Sequence, residues 1–380
     1  MKVLYVGADA VVSGAGFSMV TLVKELDKLG IDVVPVVHHG NSEKLLSESN
    51  RSHYIVDAWS WALSNRYSPL KKWMIMHIKK VLNIRCRIQY ERIIKKETPD
   101  IIHINALTSY PIAQAAVKCG KPFVWHIREM LEEGLNSSFW NEKEAYDLMN
   151  KASFFIAVSK CVEQKYKTVV GSDRIRCIYN GVDKNLYYKP DHIVMNKNVI
   201  TITMAGRINE SKGQLACLQE LIPVLQTNPN VVLQFAGEGN EAYVAKLKEI
   251  RDQAGLQGQV KFPGFVKKMD LLWEETDIAI VQSRFEAFGR VTVEAKMAGV
   301  LVVGYNSGGT TELIEDKIDG FLFGNGYKTL REVVEGILND KGTASLIAQC
   351  GRERVKDVFT SENNAREIAR LYSEVLHVQS

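Results

Sequence analysis

The sequence lacks several features that mark particular classes of protein. It contains no apolar run close to the roughly 18–20 residues of a membrane-spanning helix. Its first residues, MKVLYVG, lack the apolar stretch and cleavage site of a signal peptide. No two of its six cysteines form a Cys-x-x-Cys pair, and no Asp-x-Asp motif is present, so nothing in the sequence requires a metal. These absences predict a cytoplasmic protein with reduced thiols.

What the sequence does contain is typical of a globular protein with two domains. It has 380 residues, of which 46% are apolar and 24% charged, and a domain usually takes about 100–200 residues. The net charge is +4, yet the segment 64–97 alone carries +8. Positive charge is therefore concentrated in one part of the first half of the chain.

Strand and helix patterns alternate along the chain. Apolar strands at 2–6 and 31–37 flank a helix at 17–29, and the first strand leads into a loop of small residues that includes Gly14, Ala15 and Gly16. Further strands are predicted at 101–104, 123–126 and 154–158, and the segment 178–183 is predicted as a strand that runs into a turn. This alternation predicts an α/β fold with a parallel sheet.

The pattern is interrupted once and then restarts. The polar stretch 188–198 predicts a linker, after which strands and helices alternate again. We therefore predict a first doubly wound domain at 1–190 and a second at 195–358. A C-terminal helix at 359–380 follows, in a position compatible with a return to the first domain. Ligands of such sheets bind at the carboxyl ends of strands, so a cleft between the two domains is the expected site.

A basic cluster follows the first strand of the second domain. Arg207 and Lys212 lie between this strand and the next helix, where two cations and a helix N-terminus together suit a diphosphate. The alternative interpretation is a solvated loop that happens to be basic.

An acidic pair and a glycine pair follow later strands. Glu286 comes after the strand at 278–281, and Glu294 lies eight residues further on, in a helix that begins near Phe288 or Gly289. Such carboxylates accept hydrogen bonds from sugar hydroxyls, although a glutamate near a helix start and an ordinary surface glutamate would look the same. Gly308 and Gly309, between a strand and a helix, suggest a second anion site made of backbone amides.

Together these clusters resemble the retaining GT-B glycosyltransferases of glycosyltransferase family 4. The resemblance rests on Gly206-Arg207 with Lys212-Gly213, the Glu286 and Glu294 element, and the Gly308-Gly309-Thr-Thr-Glu turn. The segments 180–183 and 236–239 fit it as well. It covers nearly the whole chain and implies two Rossmann-like domains that face each other across a cleft, with the acceptor on the N-terminal side and the nucleotide-sugar donor on the C-terminal side.

The resemblance also implies roles for residues. Arg207 and Lys212 would neutralise the donor diphosphate, Glu294 would bind the ribose, and Glu286 would face the donor sugar. The amides of Ala287, Phe288 and Gly289 would lie near that sugar, and His126 near its 6-hydroxyl, although a histidine there is also common as a structural residue. Gly14, Ala15 and Gly16 would allow the loop to approach the diphosphate.

The implied reaction moves a hexose or related sugar from a nucleotide diphosphate to a glycan, a lipid-linked glycan or another hydroxyl acceptor. It retains configuration and serves cell-surface polysaccharide or glycoconjugate synthesis. Uridine diphosphate is the expected carrier because it is frequent in the family. Three departures bear on donor orientation: no proline follows the helix that carries Glu294, Lys296 stands at a position that is more often apolar, and the loop at 13–16 is less glycine-rich than usual.

The basic segment mixes cations with large apolar residues. This mixture, in Lys71, Lys72, Trp73, Lys79 and Lys80, suits an anionic membrane surface, and so predicts contact with the inner face of the cell membrane or with a lipid-linked acceptor. A solvated helix whose apolar side packs on the core is the alternative. Nucleic acid is a weaker option because no nucleic-acid fold accompanies the segment.

Three other functions remain open. The chain could be a catalytically silent scaffold of the same fold, against which the retained Arg207, Lys212, Glu286 and Glu294 argue. It could be a sugar-nucleotide epimerase, which needs no acceptor. A dinucleotide oxidoreductase is disfavoured because no glycine completes the Gly-x-Gly-x-x-Gly pattern that Gly14 and Gly16 would begin.

Overall fold

The computed structural model describes residues 1–7 and 14–378, which form two compact units. Unit 1 contains Met1–Gly181 and the C-terminal segment from Ser361, and unit 2 contains Val182–Thr360. The chain thus passes from one unit to the other at Gly181 and returns at Ser361.

Unit 1 is built on a seven-stranded parallel sheet with the order β3-β2-β1-β5-β6-β8-β9, and a small antiparallel pair, β4-β7. Its strands are β1 Lys2–Gly7, β2 Asp32–Val37, β3 Tyr54–Ile55, β4 Ala62–Ser64, β5 Ile101–Asn105, β6 Phe123–Ile127, β7 Ser137–Phe139, β8 Phe154–Ala157 and β9 Ile175–Cys177. Its helices are α1 Gly14–Lys28, α2 Asn41–Glu48, α3 Pro69–Glu97, α4 Tyr110–Lys118, α5 Leu131–Leu135, α6 Glu142–Met149, α7 Lys160–Val170 and, at the C-terminus, α16 Ser361–His377.

Unit 2 has a six-stranded parallel sheet with the order β12-β11-β10-β13-β14-β15. Its strands are β10 Ile200–Ala205, β11 Val231–Ala236, β12 Val260–Gly264, β13 Ile278–Val281, β14 Leu301–Tyr305 and β15 Phe321–Phe323. Its helices are α8 Lys184–Tyr187, α9 Gln214–Thr227, α10 Glu241–Gln253, α11 Met269–Glu274, α12 Arg290–Met297, α13 Thr310–Leu313, α14 Leu330–Asn339 and α15 Lys341–Val355, with a 3₁₀ turn at Glu210–Lys212.

The strand order reverses once in each sheet. In unit 1 the reversal lies between β1 and β5, and in unit 2 between β10 and β13. At such a switch point the loops leave the sheet in opposite directions and open a crevice at the carboxyl ends of the strands. The predicted α/β class with two Rossmann-like, doubly wound halves is confirmed.

Each sheet has its own apolar core. The central strands are mostly apolar on both faces because helices cover both, and every residue of β5 and of β6 is buried. In unit 1, helix α16 packs on α1 and adds Ile368, Leu371 and Val375 to the core. The last helix of the chain is thereby part of the first unit.

Two local predictions differ from the structure. The segment 178–183 is not a strand, because β9 ends at Cys177 and the residues that follow it belong to no named strand. Gly14, Ala15 and Gly16 form the first turn of α1 rather than a loop. The preceding residues 8–13, which the sequence assigns to the same loop, lie outside the described residues.

Candidate functional site

The three clusters found in the sequence of unit 2 lie at one edge of its sheet. Arg207 and Lys212 follow β10, Glu286 follows β13, and Gly308 follows β14. The strands β10, β13 and β14 are neighbours in a parallel sheet, so their carboxyl ends lie side by side at one edge. The switch point lies between β10 and β13. Side chains more than 70 residues apart are in contact here.

An ion pair joins the first two clusters. Lys212 Nζ donates to Glu286 Oε1, and the Ser283 hydroxyl donates to the same oxygen at 2.7 Å. Burial opposes ionisation of Glu286, but the charge and hydrogen bond of Lys212, with that of Ser283, outweigh it, and the pKa of the carboxyl lies below its ordinary value. Glu286 is therefore a carboxylate at neutral pH, next to a lysine that remains about one-third exposed.

The backbone holds Lys212 in place. The Asn209 side chain accepts the Lys212 N–H at 3.1 Å and begins the 3₁₀ turn, and Gly213 ends it in the left-handed region with φ 82°. A Cβ on Gly213 would lie 2.6 Å from Gln282 Cγ, so the absence of a side chain lets this loop approach the end of β13. Arg207 is exposed, and its carbonyl accepts from the Gln214 side chain at 3.0 Å.

Glu294 lies deeper than Glu286 and has a different partner. It belongs to α12, where Arg290 Nε approaches its Oε1 at 2.5 Å, and its side chain is 5% exposed. Burial raises the pKa of Glu294, whereas Arg290 and the nearby Tyr187 act in the opposite direction. Each glutamate thus has its own cation, Lys212 for Glu286 and Arg290 for Glu294.

The glycine pair packs on the Glu286 loop. The Gly309 N–H donates to the Glu286 carbonyl at 2.7 Å, and a Cβ on Gly308 would lie 2.6 Å from the same oxygen. The two glycines therefore serve a close backbone approach. The Gly309 N–H already donates to Glu286. It is therefore not an unengaged backbone amide of the kind that the predicted anion site would use.

Ala287, Phe288 and Gly289 connect Glu286 to α12. Gly289 adopts φ 98°, and its carbonyl accepts the Thr292 N–H at 3.0 Å, which begins the helix. Phe288 is buried, with its ring centroid 6.1 Å from that of Phe359. This packing fixes the short connection between the two glutamates.

In unit 1, His126 lies at the end of β6 in a buried polar cluster. Its Nδ1 is 3.1 Å from His103 Nε2, and His103 Nδ1 is 2.6 Å from the Tyr372 hydroxyl. Arg128 donates to Asn105 and Asn180, and its Nη2 is 3.4 Å from His126 Nδ1. Burial and then the charge of Arg128 lower the pKa of both histidines well below the ordinary value, so both are neutral.

Sequence reasoning missed most of this cluster. Asn105 and Arg128 directly follow or end neighbouring strands, so their position at strand ends was a usable signal. His103 sits inside a strand, and Tyr372 lies 269 residues from it in the C-terminal helix, so neither had a sequence signal.

Helix α3 shows a surface that the sequence only partly predicts. It begins with Ser68 as N-cap and Pro69 in its first turn, and Thr98 in the left-handed region ends it. Its inner side packs on α4. Its outer side carries a stripe of apolar residues at helical spacing, here called the outward stripe, with every member at least 39% exposed: Leu70, Trp73, Met74, Ile78, Val81, Ile84 and Ile88.

The basic residues of α3 fall into two groups. Lys79 donates to the Ser60 carbonyl at 3.1 Å, and Lys80 pairs with Glu144 at 2.8 Å. Both side chains therefore point from α3 towards the rest of unit 1. Burial lowers the pKa of Lys79. Lys71 is exposed, and Lys72 contacts Asn65 at 3.3 Å. Of the predicted surface residues, Trp73 and Lys71 face solvent most clearly.

Residues 1–7 and 14–378 contain no group of three histidine, cysteine or acidic side chains arranged to hold a metal ion. In the same part of the chain, no helix combines the length and apolar content needed to cross a membrane.

Two family models match the chain, one for each half. Residues 12–186 match the family described as Glycosyltransferase Family 4, and residues 189–354 match the one described as Glycosyl transferases group 1. Together the two matches cover nearly the whole sequence.

The chain is also similar to individual glycosyltransferase sequences and to a solved structure. The uncharacterized glycosyltransferase MJ1607 of Methanocaldococcus jannaschii is 25% identical over 294 residues, 72% of this chain and 75% of that protein. The lipopolysaccharide core biosynthesis mannosyltransferase LpsB of Rhizobium meliloti is 23% identical over 212 residues, 52% of this chain and 60% of that protein. The crystal structure of Anabaena Alr3699/HepE in complex with UDP and glucose has a TM-score of 0.81 at 23% identity, and covers 98% of this chain and 100% of that one.

Proposed function

Because this chain belongs to the glycosyltransferases, with a family 4 domain followed by a group 1 domain of the GT-B type, we propose that it transfers a hexose from a UDP-sugar to a hydroxyl of a cell-surface glycan or its lipid-linked precursor. The observation that carries the proposal is the contact between Lys212 and Glu286 at the switch point of unit 2. It brings the cation for a diphosphate and the carboxylate for a sugar hydroxyl to one place.

The diphosphate is bound by charge. Lys212, with Arg207 at the end of β10, supplies two cations beside the strand ends. In the structure Lys212 is paired with Glu286, and a bound diphosphate shares this lysine while a sugar hydroxyl donates to Glu286. The pair thereby keeps Glu286 ionised and both side chains in position before the donor arrives.

The nucleoside is bound by Glu294. Arg290 binds one carboxylate oxygen and favours the ionised form of Glu294, against burial, which raises the pKa of this group. Ribose hydroxyls donate to the other oxygen. UDP as carrier is supported by the UDP and glucose in the structure of Alr3699/HepE, and a polysaccharide role by the name of LpsB.

The chemistry follows from the charges that develop. As the bond between the anomeric carbon and the phosphate oxygen breaks, its electron pair goes to the diphosphate and the sugar becomes oxocarbenium-like. Lys212 and Arg207 stabilise the diphosphate. The acceptor oxygen attacks from the same face and its proton passes to the departing phosphate oxygen, so configuration is retained. Two protein cations meet the charge, and no metal is needed.

The test is turnover with a panel of UDP-, GDP- and ADP-sugars, measured as the release of the nucleoside diphosphate. We expect release from a UDP-sugar that rises with an oligosaccharide or prenyl-diphosphate-linked acceptor and yields a product of the donor's anomeric configuration by NMR. Lys212→Ala should lower the rate at least about a hundredfold, the scale of losing one charge-stabilising group. No release from any donor would favour a scaffold, and a changed sugar without transfer would favour an epimerase.

The outward stripe of α3 supports a proposal for where in the cell the enzyme works. The outward stripe of α3 runs roughly 27 Å at 1.5 Å per residue, and exposed Lys71, Arg85 and Arg92 lie on the same helix. An apolar stripe beside cations fits an anionic membrane surface, where apolar side chains enter the interface and each nearby cation adds about 1 kcal/mol. This surface would hold the enzyme where lipid-linked acceptors are found.

Vesicle flotation tests this location. The full chain should float with phosphatidylserine-containing vesicles at low salt and less with pure phosphatidylcholine. Val81→Glu with Ile84→Glu should abolish flotation, whereas Leu346→Glu, at an equally exposed apolar position of α15, should not. If wild type does not float and is a dimer that the α3 variant dissociates, the stripe binds a second copy and the membrane proposal is wrong.

A further inference from the structure

Three buried side chains of unit 1 form a line that ends at His126. Tyr372 comes from α16, His103 from β5 and His126 from β6, and each is fully buried. The Tyr372 hydroxyl is 2.6 Å from His103 Nδ1, and His103 Nε2 is 3.1 Å from His126 Nδ1. A chain of this kind has only two consistent arrangements of its protons.

The Tyr372 hydroxyl decides between them. In the part of unit 1 that the structure describes, His103 Nδ1 is its hydrogen-bond partner. If His103 donated from Nδ1, the tyrosine proton would be buried without an acceptor, at a cost of about 1–3 kcal/mol. Tyr372 therefore donates, and His103 accepts at Nδ1.

The remaining protons follow in order. A neutral histidine that accepts at Nδ1 carries its proton on Nε2, so His103 donates to His126 Nδ1. Arg128 supports the same assignment, because its Nη2 is 3.4 Å from His126 Nδ1 and a guanidinium has no acceptor. Two neighbours thus require a lone pair on His126 Nδ1.

The far side of His126 is then a donor. Its Nε2 is buried and meets no hydrogen-bond partner among the described residues. We infer that Tyr372, acting through His103, fixes His126 in the Nε2–H tautomer, so that His126 donates a hydrogen bond to a sugar hydroxyl oxygen and does not accept a proton. Tyr372 and His103 are positioning residues, and the inference rests on the proposed function for the identity of the ligand.

Burial supports this assignment, because it lowers the pKa of both histidines and keeps them neutral at pH 7. A protonated His103 or His126 would place a second cation next to Arg128. The line of hydrogen bonds also ties α16 to the two strands that carry the histidines.

The tautomers can be read directly by NMR. We would label the full chain with ¹⁵N-histidine and record two-bond proton–nitrogen correlations at pH 7.5, with His103→Gln and His126→Gln to assign the signals. The expected spectrum has His126 and His103 protonated at Nε2 and bare at Nδ1. A proton on His126 Nδ1 in the wild-type chain would overturn the inference, whatever the variants do.

A variant tests the part played by Tyr372. Tyr372→Phe should give His103 a population with its proton on Nδ1, and His126 a smaller one because Arg128 still faces its Nδ1. Binding of UDP-glucose should weaken by up to roughly fivefold, the scale of one neutral hydrogen bond, with binding of UDP unchanged. Tyr90→Phe removes a hydroxyl from another buried tyrosine of unit 1 and should change neither. Unchanged tautomers in Tyr372→Phe would overturn the role of Tyr372. If UDP-glucose and UDP bind to no form, the proposed function fails while the wild-type spectrum still decides the tautomer.

Discussion

Lys296 shows how one residue departs from a family pattern without losing the fold. In the sequence it stands at a position where the family more often has an apolar residue. In the structure its side chain is 1% exposed, pairs with Asp319 at 2.8 Å and donates to the Leu313 carbonyl at 2.6 Å. Since Leu313 ends the helix that follows the glycine pair, the lysine anchors the segment that supports the Glu286 loop.

Removing this lysine should destabilise unit 2. Lys296→Met leaves Asp319 buried, with Arg354 at 3.3 Å as its remaining cation, and we expect a loss of about 3 kcal/mol in the free energy of unfolding. The measurement is urea unfolding followed by the fluorescence of Trp273, the tryptophan of unit 2. The control is Lys246→Met at an exposed site of α10. Equal stability of both variants would show that the ion pair contributes nothing.

The buried histidines predict a pH dependence of stability. Their pKa values in the folded chain lie well below the 6.5 of an exposed histidine, so on lowering the pH the unfolded chain takes up protons first. The free energy of unfolding should therefore fall below pH 6.5, by up to about 1.4 kcal/mol per pH unit for each histidine. Above that pH the contribution is constant.

Urea unfolding of unit 1 at pH 7.5 and 5.5 measures this effect. His126→Gln removes one of the two groups and should make the decrease smaller by roughly 1 kcal/mol. His377→Gln, at an exposed position, should behave like wild type. An identical decrease in His126→Gln would mean that other groups cause the pH dependence.

At the scale of elements, the site of unit 2 depends on loops that approach each other closely. Gly213 lies against Gln282, and Gly309 lies against Ala287, where a Cβ would be 2.7 Å from the carbonyl oxygen. Lys212 and Glu286 meet because the loops after β10 and β14 carry glycines where they approach the loop after β13. The glycines of the family motif therefore position the charged residues.

A matched pair of substitutions isolates this contribution. Gly213→Ala and Gly255→Ala both place a side chain at positive φ, 82° and 72°, but only the first meets a neighbouring atom. Gly255→Ala should cost about 1 kcal/mol of stability and leave UDP affinity unchanged. Gly213→Ala should cost more and lower UDP affinity about tenfold or further, measured by calorimetry. Equal affinities would contradict the role of this close approach.

The same scale explains what the sequence could predict. The alternation of strands and helices is local, and parallel strands bring their carboxyl ends together, so the meeting of Lys212 with Glu286 followed from order along the chain. The segment 178–183 was misassigned because so few apolar residues, at 178, 179 and 182, suit a short strand or a packed loop equally well. The cluster around His126 joins β5, β6 and α16, and only the folded chain reveals such contacts.

Helix α3 lies between these cases. Its basic and apolar composition was visible, but its apolar residues occupy both sides, so periodicity did not show which side is buried. In the structure Lys79 and Lys80 contact Ser60 and Glu144, on the side of α3 that faces the rest of unit 1, whereas the outward stripe is exposed. The surface proposed for the membrane is therefore defined more by Trp73 and Val81 than by the lysine pair.

For the whole molecule, two sheets with the same kind of switch point divide the polar residues between them. Unit 2 carries Lys212, Glu286 and Glu294, which we propose bind the nucleotide-sugar donor, and unit 1 carries the His126 cluster and the outward stripe of α3. The C-terminal helix belongs to unit 1 and contributes Tyr372 to that cluster.

The central claim is that unit 2 binds UDP through Lys212 and Glu294, and thermal unfolding with UDP, GDP, ADP and NAD tests it most directly. UDP at 100 times its dissociation constant should stabilise the folded chain by about 2.7 kcal/mol. We predict a raised midpoint with UDP that is lost in Lys212→Ala and Glu294→Gln and kept in Lys246→Ala. No shift with any nucleotide, or a UDP shift that survives in both site variants, would contradict the account.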